Sequence, residues 1–195
     1  MNINELTQKA KQGDIPSIHQ LVLTYSVPGM GESLDQNKFL YWLKIYAAYK
    51  QPMAMLFLAR IYCGYPKDEQ DMKTSMLGRE IEHLYLFKGL EDEHNPKEGF
   101  RLLDECVEIE EKDGSNVQQL YQFYAEALKI YQAELRKLLK PETRNSSYFR
   151  DSIDVAQNRR FTLSEKKLEL LKNNKNQFED IYDDMVELLE KALYG

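Results

Sequence analysis

The residues that could perform chemistry are few, and their spacing matches no common catalytic or metal-binding motif. Three histidines and two cysteines stand apart along the chain, without a His-Glu-x-x-His or paired-cysteine spacing: His19, His83, His94, Cys63 and Cys106. The sequence Glu91-Asp92-Glu93-His94 contains ligand types for a divalent cation, but it is more typical of a solvated loop. We therefore expect no metal, no cofactor and no enzymatic activity.

Two other features that resemble chemical motifs have structural explanations. Gly29 and Gly31 lack the spacing and the preceding strand of a phosphate-binding loop, and they are expected in a turn between helices. Cys106 could act as a nucleophile only with a distant histidine. It falls on the apolar side of a predicted helix, where a buried small residue is the expected role.

The composition predicts a helical, globular chain. Of 195 residues, 43% are apolar and 30% charged, and only 9 are glycine and 6 proline. The net charge of −6 disfavours nucleic acid or an anionic membrane as a partner. Two cysteines make no disulfide framework, no apolar run approaches the ~20 residues that span a bilayer, and the N-terminal sequence lacks a signal peptide. A cytoplasmic location is the expectation.

A pattern of small, apolar and aromatic residues repeats through the first half of the chain. Ala10, Gly13, Ser17, Leu21 and Tyr25 recur 37 positions later as Ala47, Lys50, Ala54, Leu58 and Tyr62. A second match at a shift of 60 needs no gap and takes Leu21, Tyr25, Gly29, Asp35 and Trp42 onto Ile81, Tyr85, Gly89, Asn95 and Leu102. Each unit predicts a helix, a turn and a helix, with Asp14 and Asp35 as N-caps and a break over 27–33.

This pattern resembles the Sel-one-like repeat, a relative of the tetratricopeptide repeat. The matching positions are Ser17, Leu21, Tyr25, Gly29, Gly31, Asp35, Lys38, Trp42 and Ala47, and Ala54, Leu58, Ala59 and Tyr62 repeat the first half. Val22, Phe39 and Lys50 depart from it, because they stand where the family has Gly, Ala and Gly. The resemblance implies an all-α fold in which degenerate helix-turn-helix repeats over residues 1–112 stack into a solenoid.

A C-terminal pair of long helices is predicted for residues 113–195, where the repeat pattern stops. Residues 113–116 provide a break and a cap, and an amphipathic stretch runs from Val117 to Pro141. The polar, basic residues 141–162 predict a connector with room for one short helix. A final helix is predicted from Ser164 almost to the end, with residues 173–176 as a kink or split. This hairpin is expected to close the stack within one globular unit.

Acidic residues form two runs, which give the strongest indication of function. Residues 91–113 contain ten acids and three bases, and a second run lies on the last predicted helix. One interpretation is a pair of solvated helix faces that keep the protein soluble. The other is a surface for a basic partner. The candidate partner-binding residues are Glu91, Asp92, Glu93, Asp104, Glu105, Glu108, Asp180, Asp183, Asp184 and Glu187.

The resemblance adds an expected role for such a surface. Sel-one-like proteins serve as adaptors, and short bacterial members occur as immunity proteins that bind and silence a toxin. Together with the acidic runs and the missing catalytic motifs, the resemblance implies an immunity protein, expected as a monomer or weak dimer that occludes a basic toxin domain. The alternative is a cytoplasmic adaptor or scaffold of the same family that binds a peptide or protein client. Neither hypothesis involves nucleic acid or a membrane.

Overall fold

The computed structural model describes residues 2–26, 35–64, 90, 93–113, 116–139 and 147–194, and all regular secondary structure in them is helical. The predicted all-α class is therefore confirmed for this part of the chain. Its α-helices are α1 (Ile3–Lys11), α2 (Ile15–Ser26), α3 (Gln36–Ala48), α4 (Pro52–Cys63), α5 (Pro96–Lys112), α6 (Val117–Leu138), α7 (Ser147–Asn173) and α8 (Tyr182–Tyr194). The chain forms two compact units, Met1–Cys106 and Val107–Gly195, and the boundary falls within α5.

Local sequence signals fix the starts of the helices in the first unit. The Asp14 carboxylate accepts a hydrogen bond from the backbone N–H of Ser17 at 3.0 Å, and Asp35 accepts one from Lys38 N–H at 3.0 Å. These two predicted N-caps are confirmed, and each satisfies a backbone donor that the first helical turn leaves open. Pro52 opens α4, where its fixed φ suits the first turn.

The core of the first unit comes from the predicted apolar faces. Helices α1 to α4 pack each on the next in the chain, and the buried positions include the following residues: Ile18, Leu21, Val22, Tyr25, Phe39, Trp42, Leu43, Ala47, Ala54, Leu58 and Ala59. Tyr46 is only half-buried and stacks on His19, with ring centroids 5.4 Å apart. The predicted break at 27–33 and the repeat positions Ile81, Tyr85 and Gly89 lie outside the described residues. The solenoid arrangement stays a prediction.

The start of α5 packs closely against α4. The backbone N–H of Asn95 donates to the carbonyl of Tyr62 at 2.9 Å. A Cβ atom added to Gly99 would lie 2.5 Å from the Cys63 sulfur and 3.2 Å from the Ala59 carbonyl oxygen. Glycine is therefore the residue that lets the two helices pack at this distance.

In the described part of the second unit, three helices follow α5, where a pair was expected. Asn116 caps α6 by accepting the N–H of Gln118 at 2.9 Å, as predicted, and α6 packs along α7, which packs along α8. A core cluster joins these elements, with Tyr121, Leu168, Leu171, Phe178 and Leu189 at its centre.

The predicted connector at 141–162 is wrong from residue 147 onward. Ser147–Asn173 forms one helix of 27 residues, so α7 begins well before Ser164. Its buried positions, Ala156, Leu163 and Leu168 among them, are spaced at helical intervals but separated by long polar stretches. The sequence over 147–173 contains no glycine or proline, so polar residues with adequate helix propensity continue the helix.

The predicted final helix is divided rather than continuous. After α7 ends at Asn173, a 3₁₀ turn covers Lys175–Gln177, and α8 begins at Tyr182. The asparagine-rich residues 173–176 indicated this split, because the Asn174 side chain donates to the Leu170 carbonyl at 2.9 Å and competes with the helical backbone pattern. The split lets α8 pack back on α7.

Candidate protein-binding surfaces

Two of the predicted partner-binding acids of the first run lie in ion pairs within the first unit. Lys44 Nζ lies 2.8 Å from a carboxylate oxygen of Glu93. Glu105 pairs with both Lys50 and Arg101, the latter at 2.8 Å. Hydrogen bonds from Lys50 and then Arg101 hold the pKa of Glu105 below its usual range. The charge of these two carboxylates is therefore largely compensated before any partner arrives.

The other predicted residues of the first run differ in their surroundings. Asp104 is half-buried on α5. Glu108 has a side chain that is 62% exposed, and its carboxylate lies 3.6 Å from Lys112 Nζ, one helical turn away. Glu91 and Asp92 lie outside the described residues. Among the predicted partner-binding residues of the first run that the structure describes, Glu108 is therefore the one that is well exposed.

The remaining acids at the end of α5 make contacts inside the second unit. Glu111 accepts a hydrogen bond from the Tyr124 hydroxyl at 2.8 Å and pairs with Lys166 at 2.8 Å. Burial, together with the hydrogen bond to the Glu111 carboxylate, raises the pKa of Tyr124. Glu110 accepts a hydrogen bond from the Gln119 amide at 3.1 Å. These carboxylates stabilise the packing of the second unit.

The four predicted acids of the second run are brought together on one exposed surface. Asp180 precedes α8, and Asp183, Asp184 and Glu187 lie in its first two turns. All four side chains are exposed, and none makes an ion pair with another residue that the structure describes. We call this group the α8 acidic surface. Asp183 and Asp184 interact favourably with the positive end of the helix dipole, whereas Glu187 lies one turn further on.

Exposed apolar side chains adjoin the α8 acidic surface. Ile181 is 42% exposed and Leu188 is 61% exposed. The two positions are seven residues apart, so they face the same side of the chain in a helical frame, with Asp184 between them. Contiguous exposed apolar area bordered by polar residues is typical of interaction surfaces.

A cleft of about 260 Å³ opens in the second unit beside the α8 acidic surface. Its walls come from one face of the start of α6 and from the turn that precedes α8, with these lining residues: Gln118, Tyr121, Gln122, Gln177, Phe178, Glu179, Asp180 and Ile181. Tyr121 and Phe178 contribute the two aromatic rings of the lining, with centroids 5.1 Å apart and ring planes at 43°. Asp180 and Ile181 belong both to the cleft and to the surface beside it.

Sequence reasoning missed the cleft because its two walls are distant in the chain. Phe178 was expected on the stripe of a long final helix, not in a turn facing the start of α6. The glutamines at 118, 122 and 177 have no motif spacing. The acidic pair Glu179-Asp180 was the only local signal, and only Asp180 was among the predicted site residues.

The cysteines and the cation-binding residue types form no site in the described chain. Cys63 and Cys106 are both buried, and the Cys106 thiol donates a hydrogen bond to the Leu103 carbonyl at 3.2 Å. Among the described residues, no group of three His, Cys, Asp or Glu side chains could hold a metal ion. No helix in the described ranges combines the length and apolarity that crossing a membrane requires.

The described residues thus define an all-helical protein with an exposed acidic surface and an adjoining cleft on its second unit. Comparison of the chain with protein-family models, curated proteins and solved structures finds no match. The resemblance to Sel-one-like repeats stays a prediction.

Proposed function

We propose that this chain is a protein-binding module that neutralises a basic bacterial toxin domain by covering its active surface. One observation carries the proposal: the α8 acidic surface presents four exposed carboxylates that no described residue pairs with. Complementary charge accelerates the encounter of two proteins and selects against partners of the wrong sign.

The composition of the surface supports a protein rather than a small ion as the partner. Carboxylates alone give long-range attraction that salt screens within about 8 Å at physiological ionic strength. Ile181 and Leu188 add apolar area that a protein partner could cover, and the fully buried centre of a protein interface is more apolar than its rim. The α8 surface therefore offers carboxylates that attract a basic protein over a distance and apolar side chains that the bound protein can cover.

The two acidic runs differ in how much of their charge is already ion-paired, and this difference favours the second run as the binding surface. A partner that bound at Glu93 or Glu105 would have to displace Lys44, Lys50 or Arg101 from existing ion pairs. A partner that binds at the α8 surface displaces no ion pair among the described residues. The second unit is accordingly the proposed binding unit.

The first experiment measures binding with charge-reversed variants. The tagged protein is used to capture partners from the lysate of its source cells, and the captured protein is purified and titrated by calorimetry. We expect one basic partner at a ratio of one to one, and a loss of affinity of about tenfold or more in Asp183→Lys/Glu187→Lys. Asp154→Lys/Glu165→Lys on α7 changes the net charge by the same amount at exposed positions and is the matched control.

Two results would contradict binding through the α8 surface. One is equal loss of affinity in the α8 variant and the α7 control, which would indicate a general charge effect. The other is unchanged affinity and salt dependence in the α8 variant.

Neutralisation of a toxin is tested separately, by growth. Cells expressing the captured partner should grow only when the wild-type chain is co-expressed. A partner that leaves growth unaffected would refute the toxin and favour the adaptor alternative.

A further inference from the structure

We propose that the cleft between the start of α6 and the turn before α8 receives an arginine side chain of the basic partner. The inference rests on the proposed function, because it assigns the anchor residue to the surface described there. The cleft shares Asp180 with the α8 acidic surface, but its other lining residues lie outside that surface, and binding in the cleft can be tested without the partner.

The size of the cleft suits one long side chain. Its volume of about 260 Å³ is below the roughly 300–1,000 Å³ of pockets that enclose drug-sized ligands. Hot spots at protein interfaces are commonly single Trp, Tyr or Arg side chains inserted into such recesses. The cleft is therefore of the size expected for an anchor residue.

The chemistry of the lining selects a planar cation. Glu179 and Asp180 contribute two carboxylates, and none of the described residues that line the cleft is basic. Neither carboxylate forms an ion pair with a described residue, so both are available to a guest. The Lys167 ammonium already lies 4.3 Å from the centre of the Tyr121 ring, so Phe178 is the ring that is left for a guanidinium to stack on.

The glutamines distinguish arginine from lysine as the guest. Gln118, Gln122 and Gln177 place three amide groups around the opening. A guanidinium has five N–H donors in one plane and can donate to carboxylate and amide oxygens while it stacks on a ring. An ammonium has three donors at a single point, is more strongly hydrated, and satisfies fewer of these acceptors at once.

The experiment uses the full-length, ¹⁵N-labelled protein and a short peptide probe. Acetyl-Gly-Arg-Gly-amide is titrated while amide chemical shifts are recorded, and the same titration is made with lysine and with citrulline in place of arginine. Citrulline keeps the shape of arginine without its charge. We expect saturable shifts confined to residues 118–122 and 177–181, with millimolar affinity for arginine and at least about fivefold weaker binding of lysine and citrulline.

A pair of neutralising variants locates the binding atoms. Glu179→Gln/Asp180→Asn should weaken arginine binding at least about fivefold. Asp183→Asn/Glu187→Gln, which removes the same charge from the α8 surface outside the cleft, should leave it within about twofold. Equal weakening by both variants, equal binding of lysine or citrulline, or shifts elsewhere would each overturn the proposal. If the partner experiment fails while the peptide binds in the cleft as expected, only the proposed function is refuted.

Discussion

Raising the pH from 7 to 9.5 should stabilise the folded protein through Lys167 on α7. This side chain is only 8% exposed, and its ammonium lies 4.3 Å from the centre of the Tyr121 ring. Burial, reinforced by the nearby charge of Lys129, lowers the pKa of Lys167 from 10.5 to about 8, although Glu126 acts in the opposite direction. The folded state therefore holds this proton less tightly than the unfolded chain does.

The sign and size of the effect follow from proton linkage. Between pH 8 and 10.5 the unfolded chain binds more protons at this position, so the free energy of unfolding rises with pH. The whole pKa difference corresponds to about 3 kcal/mol, and about 2 kcal/mol of it is recovered between pH 7 and 9.5. Burial raises the pKa of Tyr121, which lowers stability only as the pH passes about 10. The stability measurements therefore extend only to pH 9.5.

The assay compares urea unfolding of the wild type and Lys167→Met at several pH values and constant ionic strength. Methionine keeps a long apolar side chain but has no proton to lose. Relative to this variant, the wild type should gain about 2 kcal/mol between pH 7 and 9.5. Lys191→Met, which removes an exposed lysine of α8, is the control for net charge. A difference between wild type and Lys167→Met that stays constant with pH would refute the reasoning.

Two further substitutions test the packing within each unit. Gly99→Ala should lower the free energy of unfolding by roughly 1–3 kcal/mol, because its Cβ would lie 2.5 Å from the Cys63 sulfur. Adding Cys63→Ala to this variant should restore part of the lost stability if this contact is the cause. Leu171→Ala should lower it by about 2–5 kcal/mol, since Leu171 is fully buried in the core cluster of the second unit. Both are measured by urea unfolding, and a loss below about 0.5 kcal/mol in either would contradict the packing described.

The parts of the fold that sequence predicted are those that depend on local interactions. The caps at Asp14, Asp35 and Asn116 were predictable because each side chain bonds a backbone N–H two or three residues away. The apolar face of α2 was predictable because its residues recur at helical spacing on a buried helix.

The early part of α7 was not predictable in this way. Over residues 153–162 only Ala156 is fully buried, so the sequence has almost no amphipathic pattern to detect. The helix lies along α6, and tertiary contacts with that neighbour stabilise a segment whose own signal is weak. Predicting this part of α7 would therefore require knowing that it packs against α6, which residues 153–162 alone do not indicate.

Which acidic residues are ion-paired could not be predicted from the sequence either. Sequence placed Glu105 and Glu187 in equivalent acidic runs, but it could not indicate that Lys50, distant in the chain, pairs with Glu105. An ion pair between distant residues requires knowledge of which helices are neighbours. The composition of a run therefore predicts that charge is present, and the fold decides whether it is already compensated.

The uncompensated charge on α8 has an energetic consequence that supports an interaction role. Asp183 and Glu187 are four residues apart within α8, and like charges at this spacing destabilise a helix by about 0.2–0.5 kcal/mol. The helix dipole offsets this for Asp183 and Asp184 in the first turn but has less effect at Glu187. On α5, by contrast, Arg101 pairs with both Glu98 and Glu105. A basic partner would pair with the carboxylates of α8 as Arg101 pairs with those of α5, so part of the binding energy would come from relief of the repulsion between Asp183 and Glu187.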